Sequence, residues 1–147
     1  MKKRLETRAI KALSDAQIDD LKAGRGMGLA LAAELNGYPG PMHVLELADK
    51  LVLSVEQRTQ IQDFIHAMKQ DTIAIGEEVI AAEVALDRLF ADKQVSLASL
   101  TKATMTVAEA QGRLRTAHLR YHLDTRAVLS PAQTEHYVRL RGYAAQP

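Results

Sequence analysis

The fold of this chain is decided by its central stretch. Residues 61–89 read IQDFIHAMKQDTIAIGEEVIAAEVALDRL. Steps of four and three residues alternate between the members of one row: Ile61, Ile65, Met68, Thr72, Ile75, Val79, Ala82, Leu86 and Leu89. This spacing is a heptad seam with one polar member, and it predicts a helix that packs lengthwise against another helix. We expect the helix to cover residues 55–91, about 55 Å at 1.5 Å per residue.

A second long helix is predicted over residues 97–129. Its seam contains Leu97, Leu100, Thr104, Val107, Gln111, Leu114, His118, Tyr121, Thr125 and Val128. Residues 91–96 interrupt the first pattern, and Ser96 is suited to cap the helix that follows. Two long helices with a short connection fold back on each other. The sequence therefore predicts an all-α fold, a long antiparallel helical hairpin with short flanking helices.

Three segments share the pattern L-S-x-x-Q, namely residues 13–17, 53–57 and 129–133. The pattern is a capping box, in which the Ser hydroxyl accepts from the amide of the Gln and the Gln side chain accepts from the Ser amide. Pro131 suits the first helical position, where no N–H is needed. We expect helices to begin after Ser14, Ser54 and Ser130.

The remaining helices are predicted to be short. The first should run from residue 15 towards 35, although each of Gly24, Gly26 and Gly28 weakens it by roughly 1 kcal/mol relative to Ala. A turn follows at residues 36–41, then a helix at 42–52 and a last one at 131–143. We divide the chain into an N-terminal segment with a Gly-rich helix, 1–41, and a hairpin domain, 42–147.

Composition excludes several classes of protein. The chain has 147 residues, 47% of them apolar and none of them Cys. A single domain is expected, and disulfides, thiolate metal sites and Cys nucleophiles are excluded. The start MKKRL resembles the charged beginning of a secretory signal, but no apolar run of about 7–15 residues follows it. The longest nearly apolar stretch, 27–33, is too short to span a bilayer.

Charge is unevenly distributed along the chain. Residues 44–110 hold six Lys/Arg against eleven Asp/Glu, whereas residues 111–147 hold six Arg against two acidic residues. Such a division favours complementary helices or a basic surface for acidic partners. Nucleic acid is not expected as a partner, because neither interleaved aromatic residues nor a binding motif accompanies the arginines.

The late part of the chain resembles the Spy/CpxP family of periplasmic helical-hairpin proteins. The resemblance lies in the His-bearing segment 117–123, which leads to Leu129-Ser130-Pro131-Ala132-Gln133, and in the earlier motif Leu53-Ser54-Val55-Glu56-Gln57. About 75 residues of heptad-like helix separate the two motifs, and the likeness covers residues 42–143. It implies a periplasmic location, a cradle-shaped, intertwined homodimer and no enzymatic activity.

Two functions follow from this resemblance. Members of the family act as ATP-independent chaperones or as repressors of envelope-stress signalling. Here Arg113, Arg115, Arg120 and Arg126 would attract unfolded clients or an envelope signalling partner. Related proteins of the CnrX and ZraP kinds bind heavy metals, which makes a metal sensor or metal-resistance protein the alternative function. A structural dimerisation module is a third option.

Histidines provide the candidate metal ligands. His118 and His122 are four residues apart on one helix face, a spacing that can chelate zinc, copper, nickel or cobalt. A third and a fourth ligand would come from elsewhere: His43 and Glu46 on the short helix are candidates, and so are Met42 and His66. In the competing interpretation, His118 fills a seam position and His122 lies on the surface. No other cofactor is expected.

Catalytic residues are not predicted, because no Ser-His-Asp arrangement or carboxylate pair flanks an expected pocket.

A homodimer is predicted from four leucines on the second long helix: Leu114, Leu119, Leu123 and Leu129. They surround more of that helix than one neighbouring helix can cover, so a second copy or another segment of the chain is expected to cover the rest, and we predict a dimer.

Overall fold

A computed structural model of the chain describes residues 4–143, and all regular structure in that range is helical. After a 3-10 turn at Leu5–Thr7, the α-helices are α1 (Asp15–Ala23), α2 (Leu31–Glu34), α3 (Pro41–Glu46), α4 (Val55–Ala91), α5 (Leu97–Val128) and α6 (Pro131–Leu140). The predicted all-α class is confirmed. The charged start at residues 1–5 and the end of the predicted hairpin domain lie partly outside the described residues.

The chain forms two compact units, and each combines separate stretches of sequence. The first contains the chain up to Met27 and Asp71–Leu114, and the second contains Gly28–Gln70 and the chain from Arg115 onward. Each unit holds one half of α4 and the opposite half of α5, as in an antiparallel hairpin. The predicted hairpin is therefore confirmed. The division at residue 41 and the homodimer stay predictions.

The two heptad seams differ in how far the chain covers them. Every member of the α4 seam is buried or half-buried, with Ile61 and Thr72 at 0% exposure. In α5, by contrast, Leu97, Thr104 and Gln111 are exposed. The Thr104 hydroxyl donates to the Leu100 carbonyl at 3.0 Å, so its own helix satisfies it. The predicted α5 seam is longer than the one that the chain buries, because the prediction included polar positions that need no packing partner.

Capping boxes begin three helices, as the repeated motif predicts. Ser14 and Ser130 each accept from the Gln amide at N3, and the Gln side chain accepts from the Ser amide. Ser54 and Gln57 form the same pair at the start of α4. Ser96 caps α5 by accepting from the Ser99 amide. The predicted helix starts are confirmed.

Three predicted helices are shorter in the structure. The first ends at Ala23 because Gly24 adopts a left-handed conformation, φ 68°, and its amide bonds back to the last turn. Only the four-residue α2 follows in that region. The helix predicted at 42–52 ends at Glu46, and the last helix ends at Leu140 before Gly142, which also has a left-handed φ of 75°. Glycine ends a helix readily because it has no Cβ to clash in this conformation.

Close backbone packing characterises the first unit. A Cβ on Gly76 of α4 would clash with the backbone carbonyl of Leu21 in α1, so only glycine permits this approach. Leu21 itself is 4% exposed. Gly76 was not singled out from the sequence, because it lies outside the heptad seam and nothing in the local pattern indicates a close backbone neighbour.

A reciprocal amide pair organises the second unit. The Gln57 side-chain nitrogen donates to the Gln133 side-chain oxygen at 2.9 Å, and the Gln133 nitrogen donates back to Gln57 at 3.1 Å. Each side-chain amide also donates to a main-chain carbonyl, Gln57 to that of Val128 and Gln133 to that of Leu51. The two motifs of the resemblance therefore meet in space. Around them lies an apolar core that includes Val44, Ala48, Ile61, Leu129 and Tyr137.

The leucines that motivated the dimer are covered unequally. Leu114 and Leu129 are 5% and 8% exposed within the single chain, so for these two residues the chain itself provides the cover, which is the second of the two expected possibilities. The chain covers them with its own helices, Leu129 as part of the core around Tyr137. Leu119 is half-buried, and Leu123 is 61% exposed.

Replacing Gln133 with Ala should destabilise the chain more than replacing Gln17 with Ala. Both changes remove the same local capping contact, but only Gln133→Ala also removes the two hydrogen bonds to the Gln57 side chain and leaves the Leu51 carbonyl without its Gln133 donor. We expect Gln133→Ala to cost roughly 1–3 kcal/mol, the usual penalty for partly buried unsatisfied groups, and Gln17→Ala to cost less than about 1 kcal/mol. Urea unfolding of both variants measures the difference, and equal losses would contradict the role of the pair.

Candidate functional site

A buried carboxylate, Glu34, collects polar groups from three parts of the second unit. The residue is 8% exposed and lies at the end of α2. Its oxygens accept hydrogen bonds from the hydroxyl of Tyr137 and, at 3.2 Å, from that of Tyr143. The Nε2 atom of His122, on α5, lies 3.4 Å from Glu34 Oε2. This Glu34 cluster links the N-terminal region to α5 and α6.

Hydrogen bonding keeps Glu34 ionised despite its burial. Burial alone would raise the pKa of Glu34, but contacts from His122, Tyr137 and Tyr143 outweigh it and hold the pKa below its ordinary value. Burial and the adjacent carboxylate raise the pKa of Tyr137. The phenol therefore stays protonated and remains a donor. The cluster has its hydrogen bonds made within the chain, which is typical of a structural role.

Glycine is required beside this cluster. The Gly40 amide donates to Glu34 Oε2 at 3.1 Å. A Cβ at this position would lie 2.9 Å from His122 Nε2, closer than a carbon atom tolerates. The Pro-Gly-Pro turn that the sequence predicts at residues 36–41 thus also positions a backbone donor against Glu34.

The four candidate metal ligands lie in two separate pairs. His43 Nδ1 is 3.1 Å from Glu46 Oε2 on α3. On α5, His122 Nδ1 contacts the His118 carbonyl at 3.1 Å, while its Nε2 faces Glu34. Among residues 4–143, no three His, Asp or Glu side chains are arranged to hold a metal ion. His122 is buried, so the expectation that it lies on the surface is wrong.

His118 is a buried histidine whose ring has one uncommitted nitrogen. It is 4% exposed, and its Nε2 atom is buried without a hydrogen-bond partner in the described part of the chain. Burial and the neighbouring His122 lower the pKa of His118. A neutral imidazole with a free nitrogen is the form that binds transition metals.

The four candidate arginines have different environments. Arg113 forms an ion pair with Glu78 of α4, in agreement with the expected complementarity of the two helices. The guanidinium of Arg126 lies 4.2 Å from the centre of the Tyr38 ring. In residues 4–143, no carboxylate forms an ion pair with Arg115, Arg120 or Arg126. These three arginines are thus free of ion pairs with described carboxylates, although Arg120 and Arg126 also lie over the rings of Tyr121 and Tyr38.

One exposed face of α5 joins these free arginines to apolar side chains. At about 100° per residue, Leu119 and Leu123 lie along its middle, with Arg115 and Arg126 on one flank and Arg120 on the other. The arginines are exposed, as is Leu123. We call these five residues the Arg/Leu face. It offers charge and apolar area together on a rigid helix.

Sequence reasoning missed the Glu34 cluster. Glu34 is the only acidic residue between Asp20 and Glu46, but that isolation is a weak indication of burial. Tyr137 and Tyr143 were not singled out, and they are 103 and 109 residues from Glu34 along the chain. Nothing in a local pattern connects positions so far apart.

Comparisons with known proteins return no match. This holds for protein-family models, for curated proteins and for solved structures. In the described part of the chain, no helix has the length and apolar character needed to cross a membrane. The support for a function therefore comes from the site and from the likeness of the two L-S-x-x-Q motifs.

The Glu34 cluster should give stability a defined acid dependence. Because the pKa of Glu34 is below 4.5 in the folded chain, its contribution is complete above the unfolded value and is lost as pH falls through the folded value. We expect Glu34→Gln to be less stable than wild type at pH 7 by about 1.5–3 kcal/mol, typical of hydrogen bonds to a charged group.

Urea unfolding as a function of pH measures this difference, which should shrink below about pH 4. Glu109→Gln is the matched control, since Glu109 is an exposed carboxylate on α5. A loss for Glu34→Gln that stayed constant from pH 7 to pH 3 would show that the charge is irrelevant.

Proposed function

We propose that this chain is a non-enzymatic client-binding protein of the Spy/CpxP type, which holds unfolded segments of other proteins without ATP. The observation that carries the proposal is the Arg/Leu face of α5. Likeness of the two L-S-x-x-Q motifs to that family supports it and, with it, a periplasmic location and a homodimer.

Physical chemistry explains how this face would hold a client. Exposed guanidinium groups attract acidic segments over distances of about a Debye length, roughly 8–10 Å at moderate salt. Leu123 and the half-buried Leu119 then offer apolar contact, worth about 25 cal/mol per Å² removed from water. Neither contribution is large or directional. Binding is therefore expected to be loose and tolerant of sequence, as unfolded clients require.

Leu123 also suits a second copy of the chain. An exposed leucine at the centre of a helix face can pair with the same residue across a two-fold axis. Client binding and dimer formation would then use neighbouring parts of α5. An envelope signalling protein with an acidic surface is an alternative partner for the same arginines.

Aggregation of a chemically denatured client tests the proposal. Wild type at several-fold molar excess should suppress light scattering, and Arg115→Gln/Arg120→Gln/Arg126→Gln should bind client about tenfold more weakly, since each exposed charge contact contributes roughly 0.2–1 kcal/mol. The control Arg88→Gln/Lys102→Gln/Arg139→Gln removes the same charge from other exposed positions. Equal loss in both variants, or no suppression by wild type, would contradict the assignment.

Metal binding is a second candidate function, favoured by the unpartnered Nε2 of His118. Calorimetric titration with Zn²⁺, Cu²⁺, Ni²⁺ and Co²⁺ should show binding that His118→Ala removes and the control His136→Ala, at a half-buried histidine of α6, retains. Since residues 4–143 of one chain do not bring a set of ligands together, metal should also promote dimers in sedimentation. Equal metal affinity in wild type and His118→Ala excludes this site.

A further inference from the structure

A groove in the first unit has a mainly apolar lining. Lys11 and Ala12 line it together with one face of the end of α4, from Glu83 to Ala91. Its volume is about 460 Å³, within the 300–1,000 Å³ typical of ligand sites. Leu86 and Phe90 are four residues apart and provide most of the apolar surface on α4. Phe90 is 51% exposed, so much of its ring is open to an occupant.

Glu83 is the unusual polar member of this groove. It is 8% exposed and has neither a hydrogen bond nor an ion pair to any part of the chain that the structure describes. Burial and the nearby Asp87 carboxylate raise its pKa. The oxygens of Glu83 are not among the fully buried atoms that lack a partner, so the carboxylate still meets solvent at the groove. A largely buried Glu is seldom left without a cation, so this position is suited to receive one.

Lys11, the cationic residue that lines the groove, already has a hydrogen-bond partner. The Lys11 ammonium donates to the Arg8 carbonyl at 2.8 Å, and the Arg8 guanidinium donates to the Lys11 carbonyl at 3.3 Å. Asp87 accepts only from a backbone group there, the Lys11 amide at 2.7 Å. Two carboxylates therefore line an apolar groove whose neighbouring cationic side chains are bonded to main-chain carbonyls.

We propose that this groove binds a Lys- or Arg-bearing apolar peptide segment of another protein, with the cation beside Glu83 and the apolar side chain on Leu86 and Phe90. Charge complementarity selects a cation, and the apolar lining selects a hydrophobic neighbour for it. A peptide suits the groove better than a free small molecule, because the half-open Phe90 leaves an occupant partly in solvent. Small-molecule sites usually bury 70–90% of their ligand.

A short capped peptide with one Lys between Leu and Phe serves as the probe, and fluorescence anisotropy measures its binding to the full chain. We expect the Lys peptide to bind at least about tenfold more tightly than the same peptide with acetyl-lysine. Glu83→Gln should remove that preference, and Phe90→Ala should weaken both peptides. Glu77→Gln, an exposed change on the same helix, should bind like wild type.

Further controls separate this groove from the Arg/Leu face and from loss of fold. Arg115→Gln/Arg120→Gln/Arg126→Gln should retain the peptide, whatever its effect on client binding. Glu83→Gln should melt no lower than wild type, because it removes a buried charge. Equal binding of both peptides to wild type, an unchanged preference in Glu83→Gln, or no binding at millimolar peptide overturns the proposal. Tighter binding of phenethylammonium than of the peptide overturns the peptide assignment.

Discussion

The reciprocal amide pair of Gln57 and Gln133 is the interaction on which the second unit depends. Each side chain closes a capping box at the start of its own helix, and each then donates to the other and to a chain carbonyl. A primary amide has two donors and one oxygen that can accept twice, and here these groups have partners. The same residues thus specify where α4 and α6 begin and how their ends meet. The capping residues of two helices therefore also make a tertiary contact.

The two units differ in the groups that surround their buried carboxylates. In the second, Glu34 is buried but surrounded by donors from Gly40, Tyr137 and Tyr143, which stabilise its ionised form. In the first, Glu83 is equally buried without such donors. Desolvation raises the pKa of both carboxylates, so the opposite directions of their net shifts come from the neighbouring groups. Hydrogen bonds and the charge of His122 lower the pKa of Glu34, whereas the Asp87 carboxylate adds to the rise in the pKa of Glu83. That contrast is why we regard Glu34 as part of the fold and Glu83 as part of a binding site.

Surface chemistry on α5 follows from helical periodicity. Buried residues such as Ala117, Tyr121 and Thr125 occupy one side, which leaves Leu123 and the free arginines on the other. A rigid helix presents these groups without a loss of backbone entropy on binding. A face that mixes charge and apolar area suits weak contact with many sequences better than tight contact with one.

The sequence by itself determined the helical class, the long helices and the four helix starts, because these depend on local spacing. The heptad seam of α4 and the capping residues Ser14, Ser54, Ser96 and Ser130 act within a few residues of where they are read. Tertiary structure alone decided that Gln57 meets Gln133, that Glu34 is buried beneath Tyr137 and that Gly76 admits the α1 backbone. Those contacts join positions 55 to 103 residues apart, and their energies depend on desolvation by neighbours that no local pattern specifies. The predicted first helix was too long because Gly24 ends it through its own left-handed conformation, a local effect. Only the tertiary structure decided that the chain's own helices cover Leu114 and Leu129.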